Sequence, residues 1–175
     1  MDNLKQLKIK NDYKKVEERI GSLDNYQSLQ TLSDNIKLRI KNDADYKDFI
    51  RLADNAEHKA KVVRILERCP SPINDSKLER TAFENFVEGC AVLNRMPNVR
   101  VIHHQLNKLG YAKTMAKQVE NEVGNRVFFE MVDKGRVRNT SEYFIYNSAK
   151  HLVSKDTYNK IADLFNSNTQ LGMVA

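Results

Sequence analysis

Residues 105–119 read QLNKLGYAKTMAKQV, with apolar residues spaced by three and four on both sides of Gly110. The residues that could lock two helices together are Leu106, Leu109, Tyr111, Ala116 and Val119. Glycine is favoured where one helix turns sharply into the next, because that position takes up a positive φ. The stretch therefore predicts two helices joined by a tight turn, and the rest of the chain is interpreted around it.

This pair resembles a helix-turn-helix, the motif whose second helix contacts DNA in many binding proteins. The outer face of that second helix would present basic and polar side chains. These are Lys113, Thr114, Lys117, Gln118 and Asn121. Such side chains bind phosphate oxygens and base edges, so we expect this face to contact nucleic acid. Two helices joined at a glycine in an ordinary helical hairpin would show the same spacing.

The residues that follow predict a β-hairpin. Residues 126–132 (RVFFEMV) are β-branched and aromatic, residues 133–135 (DKG) are a turn signal, and residues 136–138 (RVR) could form the return strand. With residues 77–95 as a first helix, the order of elements is typical of a winged helix. Lys134, Arg136 and Arg138 would then lie along the phosphate backbone.

The charge distribution favours the same surface. The chain carries a formal net charge of +6. No acidic residue lies between Glu88 and Glu120, and the basic residues in that interval are Arg95, Arg100, Lys108, Lys113 and Lys117. A one-sided basic segment is typical of a phosphate-binding surface, although a slight lysine excess on a hydrated surface is the simpler interpretation.

Residues 69–76 (CPSPINDS) predict the main boundary of the chain. Two prolines so close together cannot lie inside a helix. We therefore expect a helical arm at residues 1–68, a linker at 69–76, a winged-helix-like basic unit with C-terminal helices at 77–166 and a flexible tail at 167–175. Ser76 and Glu79 have the spacing of a capping box at the start of the next helix.

The arm contains amphipathic stretches, of which the clearest bears Tyr26, Leu29, Leu32, Ile36 and Ile40. We expect residues 1–68 to pair two subunits into a homodimer, which would double the nucleic-acid contacts.

Several classes of protein are disfavoured. The chain has no apolar run long enough to span a membrane, and its N-terminus does not resemble a signal peptide. Cys69 and Cys90 then indicate reduced thiols in the cytoplasm. The adjacent His103 and His104 point in different directions on a helix, so no metal site is expected. No nucleophile motif or phosphate-binding glycine loop is present, so we expect no cofactor, no catalytic residues and no enzyme.

The sequence thus predicts a mainly α-helical protein that binds nucleic acid, with double-stranded DNA as the first expectation, in a regulatory or replication-accessory role. Its composition, rich in Lys, Asn and Ile and poor in Gly and Pro, is typical of AT-rich genomes such as those of phages and mobile elements. The alternative is a helical adaptor or inhibitor that binds another protein through its basic face.

Overall fold

The computed structural model describes residues 3–167, with the backbone alone at residues 99–101. The prediction of a mainly α-helical fold is confirmed, and no β-strand occurs in the described residues. The chain divides between Glu67 and Arg68 into two compact units. No helix in residues 3–167 combines the length and apolar character needed to cross a membrane.

The first unit contains four helical elements. They are α1 (Asn3–Ser22), α2 (Tyr26–Asn42), a 3-10 helix (Ala44–Phe49) and α3 (Ile50–Leu66). The Asn25 side chain caps α2 by accepting a hydrogen bond from the Ser28 amide, and Asp43 caps the 3-10 helix in the same way. The guanidinium of Arg64 lies 5.1 Å from the Tyr26 ring, so the end of α3 lies beside the start of α2.

Small residues set the packing inside the first unit. One stripe of α3 is fully buried and consists of Ala53, Ala56 and Ala60. Because these side chains are short, α2 can approach closely, and the Ser33 hydroxyl donates to the Ala53 carbonyl at 2.9 Å. Leu29 and Phe49 complete the centre of this core.

The second unit contains the remaining helices. They are α4 (Lys77–Val92), α5 (Val99–Asn121), α6 (Arg126–Asp133), a 3-10 helix (Val137–Asn139), α7 (Ser141–Ser148), a 3-10 helix (Lys150–Leu152) and α8 (Lys155–Ser167). Residues 69–76 belong to this unit, and the Tyr111 hydroxyl donates to the Pro70 carbonyl at 2.6 Å. The largest fully buried side chains of its core include Tyr111, Phe128, Phe144 and Ile161.

The predicted β-hairpin is wrong, because residues 126–133 form helix α6. Asn125 caps this helix by accepting from the Phe128 amide at 3.1 Å. Phe128 and Met131 are buried, whereas Val127 and Phe129 are exposed. Inward residues three apart follow a helical period, while a strand would have placed Val127, Phe129 and Met131 on one face.

The turn signal after α6 ends that helix and does not reverse a strand. Gly135 has φ of +68°. Its amide donates to the Val132 carbonyl at 2.8 Å, and the Arg136 amide donates to the Met131 carbonyl at 2.9 Å. This pair of hydrogen bonds is the Schellman motif, in which a glycine just beyond the helix satisfies the last carbonyls. The β-hairpin that defines a winged helix is therefore absent from the described residues, and the winged-helix prediction is wrong.

Candidate nucleic-acid interface

The turn predicted at Gly110 is confirmed and is very tight. Within α5, Gly110 has φ of 78° and ψ of 177°, so the helical residues 99–109 and 111–121 are joined by this single non-helical residue. A Cβ atom at this position would lie 2.6 Å from the Glu79 Oε1 atom and 2.8 Å from the Ile73 Cδ1 atom. Both the backbone angles and the available space therefore require glycine.

Glu79 holds the second half of this kinked helix. Its carboxylate is buried and accepts hydrogen bonds from the Tyr111 amide at 2.5 Å and the Ala112 amide at 3.1 Å. The Glu79 amide donates to the Ser76 hydroxyl at 3.2 Å, as expected for a capping box. In a complete capping box the Glu79 carboxylate would accept from the Ser76 amide. Here the Ser76 amide donates instead to Asn74 Oδ1 at 3.0 Å.

The start of segment 111–121 is therefore occupied by a carboxylate from α4. Helix-turn-helix proteins use the N-terminal residues of the second helix to contact base edges. Here the first amides of the segment are bound to Glu79 and are closed to a phosphate or a base.

The prediction that Thr114 lies on the outer face is wrong. The residue is only 4% exposed, and its hydroxyl donates to the Gly110 carbonyl at 2.6 Å. The packing around the kink covers this side of the segment, and the hydroxyl serves the local backbone.

Three of the predicted lysines are exposed, and their ammonium groups have no partner among the residues that the structure describes. We call Lys108, Lys113 and Lys117 the lysine group. None of the three ammonium groups forms an ion pair or hydrogen bond with another described residue. Lys113 and Lys117 are four residues apart within segment 111–121, so they lie on one side of the helix, about 6 Å apart at Cβ.

One acidic residue follows on the same segment. The Glu120 carboxylate accepts hydrogen bonds from the Ser154 amide and, at 2.7 Å, from the Thr157 hydroxyl at the start of α8. These hydrogen bonds lower the pKa of Glu120, so it stays ionised at neutral pH. Its charge is engaged in capping α8, and it makes no ion pair with a lysine among the described residues.

Of the other predicted basic residues, two lie beside carboxylates and two belong to later elements of the chain. Arg95 pairs with Glu130 at 2.6 Å, and Arg136 Nη1 lies 4.0 Å from a Glu88 carboxylate oxygen, so nearby carboxylates offset both charges. Lys134 and Arg138 are exposed but lie after α6 and in the following 3-10 helix, not on a hairpin. The Arg100 side chain lies outside the described residues.

Gln118 and Asn121 are exposed, and both line a cleft that the sequence did not predict. The cleft lies among α4, α5, α6 and the start of α7 and has a volume of about 520 Å³. Its polar lining is rich in carboxamides, contributed by Asn85, Asn98, Gln118, Asn121, Asn125 and Asn139. Because these residues are spread over more than fifty positions, no local spacing could have revealed them.

Neither a disulfide nor a metal-binding group forms from the cysteines and histidines of the described residues. The thiols of Cys69 and Cys90 are free, and burial raises the pKa of Cys90 to about 12, which keeps it protonated at neutral pH. His103 Nε2 lies 2.9 Å from the Arg68 carbonyl oxygen. In the part of the chain that the structure describes, no three His, Cys, Asp or Glu residues are grouped so that they could hold a metal ion.

Two features of the second unit thus remain for function, the lysine group and the carboxamide-lined cleft. Both depend on α5, which the Gly110 kink and the Glu79 carboxylate hold in shape. A comparison of the chain with protein-family models, curated proteins and solved structures finds no match in any of the three.

Proposed function

We propose that this protein binds nucleic acid through the lysine group of its second unit, mainly by contacting phosphates. The observation that carries the proposal is the exposure of Lys108, Lys113 and Lys117 without a carboxylate partner among the described residues. A lysine that contacts a phosphate contributes to affinity, because it releases counterions that surround the nucleic acid. An unpaired lysine can make this contact without first leaving a carboxylate partner. A regulatory or replication-accessory role in the cytoplasm fits this activity.

The geometry favours phosphate contact over reading of bases by the start of the second helix. Glu79 occupies the amides of Tyr111 and Ala112, and Thr114 is buried. The side chains left for contact are lysines, which bind phosphates without regard to sequence. We therefore expect affinity to depend strongly on salt and weakly on the sequence of a duplex.

The test is fluorescence anisotropy with a labelled random-sequence duplex at several salt concentrations. In the Lys113→Glu/Lys117→Glu variant we expect affinity to fall at least about tenfold and the slope of log K against log salt to shrink by about two. Lys10→Glu/Lys14→Glu is the control for net charge, because these exposed lysines are also four residues apart on a helix, in α1. Lys14 Nζ lies 3.9 Å from a Glu18 carboxylate oxygen, an exposed ion pair of the kind that contributes little to stability.

Equal loss in the two variants would show that only net charge matters and would overturn the proposed site. Binding that does not respond to salt would also overturn it. If the protein captures an acidic protein partner and no nucleic acid, the adaptor interpretation replaces this one.

A further inference from the structure

The carboxamide-lined cleft has the size and lining of a ligand site. Its volume of about 520 Å³ lies within the usual range for small-molecule pockets. The apolar part of the lining includes Met115, Val119, Phe128 and Met131. Such a combination of an apolar surface and a few polar groups is typical of small-molecule sites.

The carboxamides around this surface have hydrogen-bonding capacity to spare. The Asn125 side-chain Oδ1 atom accepts from the Phe128 amide, which leaves the side-chain amino group available. The other five side chains make no hydrogen bond with the described residues, and Asn98 precedes α5 without capping it through its side chain. Each carboxamide offers a donor next to an acceptor.

Glu142 adds an acceptor to the cleft lining. The residue is 3% exposed, and its carboxyl accepts from the Gly124 amide at 3.2 Å. A second oxygen lone pair can accept a hydrogen bond from an amino group of a ligand. Burial raises the pKa of Glu142, so a ligand that donates to the carboxylate would relieve part of the cost of its burial.

The charges of the cleft disfavour an anion. Its one arginine, Arg95, is paired with Glu130, while Glu122 and Glu142 contribute carboxyl groups. An uncharged planar ring with both donors and acceptors on its edge matches the lining better. Asn and Gln pair with such edges in nucleobases, most familiarly with adenine.

We propose that the cleft binds a single unpaired nucleobase that bears an exocyclic amino group. Carboxamides such as Gln118 and Asn121 would bond the base edge, and Glu142 would accept from the amino group. The base can belong to a free nucleoside or to single-stranded nucleic acid. The second source rests on the proposed function, because Lys113 and Lys117 lie on the same helical segment as Gln118 and Asn121.

Isothermal titration calorimetry with adenosine, cytidine, guanosine and thymidine tests the cleft alone. At least one of the three amino-bearing nucleosides should bind saturably, and thymidine should bind at least about tenfold more weakly. The Gln118→Ala/Asn121→Ala variant should weaken that binding at least about tenfold. Gln105→Ala, at an exposed position of α5 outside the cleft, is the control and should change nothing.

The two sources separate in a second experiment with single-stranded oligonucleotides. If the cleft takes a base from a strand, the Gln118→Ala/Asn121→Ala variant loses preference for single strands over duplex. If it takes only free nucleosides, the oligonucleotide affinities stay unchanged while calorimetry still shows binding.

The failures of the two proposals are distinguishable. Nucleosides lack phosphate, so Lys113→Glu/Lys117→Glu should leave nucleoside binding intact even where it abolishes DNA binding. The cleft proposal is overturned if none of the four nucleosides binds, or if thymidine binds as tightly as the others. In that case the result with the lysine variant still decides the proposed function.

Discussion

The substitution Gly110→Ala tests the central element of the second unit. With φ of 78° and ψ of 177°, Gly110 occupies a backbone region that residues with a Cβ atom rarely enter. Holding alanine there costs about 1–3 kcal/mol. The new methyl group would also lie 2.6 Å from Glu79 Oε1 and 2.8 Å from Glu79 Oε2, so the carboxylate must move.

That movement has its own cost. The carboxylate accepts from the buried Tyr111 and Ala112 amides, and each buried amide left without an acceptor costs about 1–3 kcal/mol. Together the backbone term and the two amide terms amount to about 3–9 kcal/mol. Domains of this size are stable by about 5–15 kcal/mol, so the second unit should lose a large part of its stability.

Gly135→Ala is the matched control for this experiment. Gly135 also has a positive φ, of +68°, but no atom lies within 4 Å of the position that its Cβ would take. Only the backbone cost of about 1–2 kcal/mol applies. The effect of alanine on the unfolded chain is similar in the two variants and largely cancels in the comparison.

Urea denaturation followed by far-ultraviolet circular dichroism measures both variants in the full chain. Hydrogen exchange detected by mass spectrometry should show faster exchange in peptides covering residues 106–121 for Gly110→Ala only. If Gly110→Ala is no less stable than Gly135→Ala, the steric argument at the kink is refuted.

Three further substitutions of buried or paired carboxylates have predictable effects on urea stability. Glu79→Ala should cost about 2–5 kcal/mol, against less than about 0.5 kcal/mol for the exposed Glu84→Ala on the same helix. Hydrogen bonds from two lysines lower the pKa of Glu57 from 4.5 to about 2, so its stabilising charge is fully present above pH 4.5 and is lost as pH falls towards 2. Glu57→Gln should thus lower stability at pH 7 by about 0.5 kcal/mol and reduce its loss on acidification. Burial raises the pKa of Glu142, so its ionisation opposes folding as pH rises above 4.5. Glu142→Gln keeps an acceptor for the Gly124 amide, so at pH 7 its free energy of unfolding should equal or exceed that of the wild type. A clear loss of stability at pH 7 would contradict the argument.

Local sequence signals give a correct prediction for some features of the candidate site and an incorrect one for others. Gly110 stood between two apolar stripes of helical period, and this pattern was sufficient to predict the break. The sequence wrongly predicts a strand at residues 126–132, because β-branched and aromatic residues there outweigh three weaker signs of a helix. Those signs were the Asn125 cap, the Arg126–Glu130 pair four residues apart, and the spacing of Phe128 and Met131.

Burial and long-range partners were beyond the reach of local reasoning. Thr114 has the polarity of a surface residue, and only the packing around the kink shows that it is covered. Arg95 is basic in sequence, but α6 brings Glu130 to 2.6 Å from its guanidinium. A charge count along the chain therefore overstated the basic surface, because it could not include carboxylates contributed by distant segments.

The mainly helical fold and the break at Gly110 followed from the sequence by itself. The spacing of apolar residues and the position of a glycine are local signals, which can be recognised within one or two helical turns. The tertiary structure alone decided which groups surround those elements. It placed Glu79 on the amides after the kink, brought Glu130 to Arg95 and gathered the carboxamides around one cleft. Contacts between residues thirty or more positions apart depend on how whole helices pack, and no short stretch of sequence contains that information.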